Sequence, residues 1–330
     1  MKIPPFFVSP VQNTSHQFIC RCAMPDQTKP NAARPLDWVI FALVPFFFST
    51  NIIFGRGIIG DVAPYTTAFL RWTGSTLVTL PFIFADRRAA WFFVSRHFWL
   101  WLVLGGLGMG ICGGVVYWSL NYTTAANGTL IYTTSSLFII LFQWMFSGRS
   151  IGLRELAGMA IAFAGVIVIV LRGDISALLD LDFNIGDFGI LIAAISFAIY
   201  SILLRQPALQ NLQPLSLFGV IALSGALVLL PPTVYEIFTG GPMPDEPMDW
   251  AKIAGMVAFA SLAAFYCFQQ TVRVFGPAQA GVTLYLMPPV SIVMAIIFLG
   301  ESFAAYHAVG ILLVVGGVVL ATMPNKGKRK

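Results

Sequence analysis

The chain has 330 residues, 58% of them apolar, 14% aromatic and 10% charged, with a formal net charge of +5. Soluble domains average about 45–50% apolar and about 25% charged residues, so this composition excludes water as the main solvent and points to a lipid bilayer.

Residues 1–36 are Pro-rich and polar, lack the continuous apolar stretch of a secretory signal, and are expected to form a disordered cytoplasmic tail. Met24 is an alternative translation start, because a chain begun there keeps Lys29, Arg34 and the whole first apolar run. Cys20 and Cys22 have no second ligand pair nearby, so no metal site is expected. Cys112 and Cys267 read as small apolar packers.

Runs apolar enough to cross about 30 Å of hydrocarbon at about 1.5 Å per residue follow at 38–55, 64–84, 98–120, 125–146, 155–171, 188–204, 215–234, 251–270, 277–299 and 305–323. No alternation of period 2 recurs as a transmembrane barrel requires, and backbone in lipid then closes its hydrogen bonds only as helix. The expected fold is an all-α membrane protein of ten transmembrane helices.

The first span holds Asn51 and a hinge candidate, Pro45, whose missing N–H permits a kink. The second holds Arg71, the one full charge in the interior of a span. Facing lipid it would cost about 2.5–3.5 kcal/mol, so it is expected to face the bundle. Two readings fit it: a guanidinium that receives a substrate carboxylate or phosphate, or a structural group that snorkels outward or pairs with Glu301 or Asp61. The third span contains "GGLGMGICGG", with Gly106, Gly110 and Gly114 on one close-packing stripe. No strand precedes it and no Lys-Ser/Thr follows, so it is not a nucleotide-binding loop.

Trp118 ends the third span. On the fourth, Tyr132, Ser136 and Ile139 share a face. Tyr200 lies on the sixth, Tyr266 and Gln270 on the eighth, and Tyr285 on the ninth, three residues before Pro288 and Pro289, the other hinge candidates. Together with Asn51 these polar and aromatic groups read as candidate lining of a wet cavity. The competing reading makes the aromatics interface belts and has Ser and Thr bond their own backbone.

The loops fix orientation. With the N-terminus in the cytoplasm, the inner segments hold Lys2, Arg21, Lys29, Arg34, Arg87, Arg88, Arg96, Arg149, Arg154, Arg205, Arg273, Lys326, Lys328, Arg329 and Lys330, fifteen of the nineteen basic residues. The outer segments hold Arg56, Arg172 and Lys252 and collect acids, among them Asp61, Asp174, Asp187, Glu236, Asp245 and Glu301. Both termini are therefore expected in the cytoplasm of a plasma-membrane protein.

The chain also repeats itself. Gly148, Gly158 and Gly165 return as Gly300, Gly310 and Gly317, and Asp37, Pro64 and Pro81 return as Asp187, Pro214 and Pro231, while Arg149 becomes Glu301. Five helices per repeat force the second copy to enter from the other side, so the charge reversal is what an inverted repeat predicts. The expected organisation is a tail at 1–36, repeats at 37–171 and 188–323, an external linker at 172–187 and a basic cytoplasmic tail at 324–330.

Here the residues resemble a family. "APYTTAFLRW" opening the second span, "GDFGILIAAISFAIYSILLR" opening the second half and "LGES" before a Gly-rich last span look like the drug/metabolite transporter superfamily of the EamA type, over about residues 37–323. "SGRS" at 147–150 departs from the family's Glu-bearing pattern, and Arg149 reads as a topology anchor. The resemblance implies export of small metabolites, amino acids or drugs between the two halves.

All fourteen Asp and Glu lie in loops, tails or helix ends. Proton-coupled export of cations relies on a carboxylate at membrane depth, so neutral, zwitterionic or anionic solutes rank above cationic or lipophilic drugs, and a non-transporting sensor or scaffold is the remaining alternative. His16, His97 and His307 are scattered, with no HExxH, no Ser-His pairing and no carboxylate dyad at depth, so no enzyme and no cofactor is expected. The pI near 9.1 and the terminal "NKGKRK" follow from cytoplasmic charge asymmetry, and no nucleic-acid partner is expected. The expected partners are a small-molecule substrate and the bilayer, with the protein a monomer or homodimer.

Overall fold

The structure, a computed structural model, describes residues 34–58, 60–123, 125–147, 151–171, 173–174, 184–299 and 304–322. Cys20, Cys22, Met24, the Arg149 and Glu301 pair, the C-terminal tail and most of the 172–187 linker lie outside the described residues.

Helix α1 is Pro35–Arg56 and α2 is Pro64–Ala85, followed by a short helix, Arg87–Arg96. Next come α3, Phe98–Ser119, and α4, which covers 125–147 as Ala125–Thr133 and Ser135–Ser147. The chain continues with α5, Leu153–Val170, α6, Ile185–Leu203, α7, Pro214–Phe238, and α8, Pro247–Phe275. Helix α9 covers 277–299 as Pro277–Val282, a 3-10 turn Thr283–Leu286, and Met287–Leu299; α10 is Ala305–Thr322. Among the described residues there is no β-strand, and eight helices, α2 to α8 and α10, are long and apolar enough to cross a bilayer. Leu153, Leu312 and Phe238 stand on the surface, as lipid rather than water favours.

Local chemistry sets the boundaries. Proline opens α2, α7, α8 and the first piece of α9, where a missing N–H costs no intrahelical bond. The Asn184 side chain accepts the N–H groups of Gly186 and Asp187 while Asp187 accepts that of Asn184, so α6 starts at Ile185, inside the stretch expected as linker. Helix α8 stops at Gly276, whose φ of +92° suits a residue without Cβ. Pro288 and Pro289, expected inside a continuous ninth helix, instead occupy the first turn after its 3-10 break. Pro45 lies within α1, and the Ser49 hydroxyl is shared between Pro45 O at 2.7 Å and Met287 O at 3.1 Å, tying the two proline sites together.

Two helix pairs carry the packing, α2 with α7 and α5 with α10. A Cβ on Gly158 would stand 2.7 Å from Gly317 O, and one on Gly165 would stand 2.8 Å from Gly310 O, so α5 and α10 run antiparallel at near backbone contact. At one end of the α2 and α7 pair, Glu236 accepts Tyr65 N and Thr66 N at 3.0 and 2.7 Å; at the other, Asp86 accepts Gln213 N at 3.0 Å. Helices α3 and α8 each contain a π-helical segment, Gly106–Val115 and Met256–Ala263, whose starts are 150 positions apart. Two of the three stripe glycines in α3 serve contacts within the chain: a Cβ on Gly110 would meet Val228 and one on Gly114 would meet Leu229, both on α7, whereas one on Gly106 would meet nothing within 4 Å.

Candidate functional site

Arg71 on α2 is 3% exposed and points into the bundle. Its Nε donates to Ser261 Oγ at 2.5 Å, Nη1 to Asn51 Oδ1 at 3.0 Å and to Tyr117 Oη at 2.8 Å, and Nη2 to Ala260 O at 2.7 Å. Its Cζ lies 4.5 Å from the centre of the Trp72 ring. No carboxylate among the described residues pairs with it, so the pairing with Asp61 is not made: Asp61 bonds Lys252 at 3.0 Å instead. Glu301, the other expected partner, lies outside the described residues.

The π segments explain how one dipeptide holds two helices. A π turn interrupts the α pattern of carbonyl bonding. Arg71 takes Ala260 O from the segment in α8, and Trp72 Nε1 takes Met109 O, at 3.0 Å, from the segment in α3. Adjacent side chains thus clamp α2 to both.

A cavity of about 200 Å³ opens beside the guanidinium. Asn51 and Gly55 from α1, Arg71 and Trp72 from α2, Cys112, Val116 and Tyr117 from α3, and Thr129, Tyr132 and Thr133 from α4 line it, with Ile190, Phe265, Leu284 and Met287 closing the wall. Arg71 is the charged residue among them. At the rim Thr123 donates to Asp187, the buried carboxylate of the α6 cap.

A plug of packed rings lies beside the cavity. Phe197 and Phe268 lie 4.9 Å apart between centroids, Phe48 and Phe265 lie 5.4 Å apart, and Trp72 meets Phe265 edge-on at 5.1 Å. Tyr200 is fully buried beside Phe197, and its hydroxyl accepts Gln269 Nε2 at 3.0 Å. Such tilted and edge-on pairs are favourable geometries, so the plug is cohesive.

Of the residues singled out from sequence, Arg71, Asn51 and Tyr132 meet on the cavity. Tyr200 is in the plug. Ser136 donates to Gly281 O at 2.6 Å, joining α4 to α9, and Tyr285 is fully buried in the core shared with α5 and α10. Trp118 packs against the Tyr122 ring at 4.9 Å, Tyr266 is half-buried against the main core, and Gln270 lines a separate recess. Sequence reading missed Tyr117, Ser261 and Thr129, and took Cys112 for a packer when it lines the cavity while donating to Ala193 O at 3.4 Å. The ten-residue π segment before Tyr117 turns the helix face away from a 3.6-residue register, so spacing alone does not choose between Tyr117 and Trp118.

Smaller chambers lie at the two ends of the bundle. One, of about 190 Å³, is bordered by Gly60, Pro64, Thr67, Tyr117 and Asn121. The other, of about 40 Å³, is bordered by Leu204, Gln210, Pro214, Leu217, Gln269, Gln270 and Arg273.

Comparison with known proteins gives a consistent result. The model of the EamA-like transporter family matches residues 37–171 and again 184–323. An uncharacterized transporter of Archaeoglobus fulgidus is 25% identical over 285 residues, 86% of this chain and 96% of its own length. The uncharacterized transporter YetK of Bacillus subtilis is 20% identical over 289 residues, 88% of this chain and 87% of its own. A probable terminal-alkyne amino-acid exporter of Streptantibioticus cattleyicolor is 25% identical over 228 residues, 68% of this chain and 73% of its own. One solved crystal structure superposes with a TM-score of 0.68 at 18% identity, covering 88% of this chain and 98% of its own, a likeness of fold.

Proposed function

Because the chain belongs to the EamA-like transporter family, with its domain present twice, we propose that it exports a small amino acid-like solute by alternating access between two inverted five-helix halves. The observation that carries the substrate class is Arg71, a buried cation on the cavity with no carboxylate beside it among the described residues. At an effective dielectric constant of about 20, a unit charge about 4 Å away gains or loses about 4 kcal/mol. A carboxylate entering this cavity is attracted and a bare cation repelled. Four hydrogen bonds fix the guanidinium, so it acts as a positioned charge and not as a mobile arm.

Several contacts support inverted halves. Exchanging the repeats turns the Gly158 and Gly317 contact into that of Gly310 and Gly165, and turns the Glu236 cap into the Asp86 cap. Both exchanges fit a two-fold axis across the helices. On this reading α1 and α9 complete ten spans, both termini are cytoplasmic, the cavity faces outward and the ring plug closes the inner side. The chain works as a monomer or homodimer and takes no cofactor.

Proteoliposomes test this. An L-amino acid should be carried and its decarboxylated amine excluded, and Arg71→Gln should erase that preference. Faster transport of the amine by the wild type overturns the reading. The apolar rings of Phe48, Trp72 and Phe265 in the wall favour lipophilic compounds as a second reading, which the same vesicles test with a neutral aromatic dye.

A further inference from the structure

We propose that the chamber at Gln269 and Arg273 is a loading site, distinct from the central cavity, that recognises the zwitterionic head of an amino acid-like solute; the proposal rests on the exporter reading above. Three observations carry it. The first is an unmet acceptor. Gln269 is 5% exposed; its Nε2 is committed to Tyr200, and its buried Oε1 has no hydrogen-bond partner among the described residues. A buried acceptor left without a donor costs about 1–3 kcal/mol, and a substrate ammonium supplies that donor.

The second is a cation one turn away. Arg273 lies four positions along α8 from Gln269, hence on the same face, and borders the same chamber. It is exposed and its guanidinium makes one long contact among the described residues, 3.4 Å from Nη2 to Gln210 O, which leaves donors for a carboxylate. Arg205 adds a second cation at this end, its Nη1 lying 3.2 Å from where a Cβ on Gly276 would stand. Asp86, the acid nearby, is engaged with Gln213 N. A donor-hungry carbonyl and a guanidinium with donors to spare, at i and i+4, match an ammonium and a carboxylate held on one carbon.

The third is correspondence with the opposite end. Gly60, Pro64 and Thr67 border the outer chamber, and the residues 150 positions on, Gln210, Pro214 and Leu217, border this one. The outer chamber also holds a buried hydroxyl without a partner, Thr67 Oγ1. Each end of the path thus carries one unmet polar group, but only the inner chamber adds a cation. At about 40 Å³, with Gln210 and Leu217 in place of Gly60 and Thr67, it admits a solute only after this end widens. The ring next to it is Tyr200, the one that Gln269 holds. A solute ammonium on Gln269 Oε1 therefore touches the residue that anchors the plug.

The test uses right-side-out and inside-out proteoliposomes of the full chain and the twenty standard L-amino acids as probes, followed by the amino acid carried fastest. Gln269→Leu and Arg273→Gln should each raise the apparent KM at the Arg273 face about tenfold while leaving the opposite face within about twofold, and Arg273→Lys should restore most of the loss. The unchanged face reports that each variant is folded. Equal shifts at both faces make these residues structural and overturn the loading site, as do unchanged values at both; in either case the exporter reading stands. A wild type that carries none of the probes ends both.

Discussion

The Arg71 guanidinium and the Tyr117 hydroxyl lie 2.8 Å apart, and both bond Asn51 Oδ1, so three helices converge on one side-chain triad at the cavity wall. Arg71 holds the bundle through these bonds, and under the proposed function the same charge also faces the substrate. Its structural partners are neutral groups in place of the carboxylates expected from sequence.

Removing this hub should destabilise the fold. Arg71→Ala leaves Asn51, Ser261 and the Ala260 carbonyl short of donors, an expected loss of about 2–4 kcal/mol. Arg71→Lys should fall between, because an ammonium cannot reach four separated acceptors. Thermal unfolding in detergent, read by size-exclusion recovery, checks the order wild type, Lys, Ala.

Trp72→Phe should cost about 0.5–1.5 kcal/mol, since the ring remains packed against Phe265 and only the bond to Met109 O goes. An unaltered melting temperature would mean that the α3 carbonyl finds another donor.

The α5 and α10 pair gives a paired comparison. Gly158→Ala puts a methyl against the Ala321 and Gly317 backbone and should cost about 1–3 kcal/mol, whereas Gly316→Ala, with nothing within 4 Å, should be near neutral. Equal effects would show that helix propensity and not close approach governs both sites.

Glu236→Ala uncaps α2, leaving Tyr65 N and Thr66 N without their acceptor, and should cost about 0.5–2 kcal/mol. Glu236→Gln keeps an acceptor and should recover about half, measured by the same recovery assay.

Topology has a direct check. Ser95 and Asp245 are exposed and 150 positions apart. In a cysteine-free background, Ser95→Cys should react with an impermeant maleimide only from the cytoplasmic side and Asp245→Cys only from outside. Labelling of both from one side would exclude inverted halves.

Much of this was legible in the chain itself. Apolar runs located the helices because lipid forbids unpaired backbone, and proline and glycine placed their ends to within a few residues. The missed starts have local causes, such as the Asn184 and Asp187 cap that draws α6 into the expected linker. Arg71 stood out because a charge in a span must face inward.

The rest needed three dimensions. Sequence determined where the apolar helices lie and that the second half echoes the first, since those follow from hydropathy and spacing along one chain. Tertiary structure decided which side chains meet: the π segment in α3 turns its face so that Tyr117 reaches Arg71, and Cys112 comes to line the cavity while Tyr285 is held in the α5 and α10 core. A single extra residue in a helical turn leaves composition untouched yet swings every later side chain to another face, so only the packed bundle reveals the wall of the cavity.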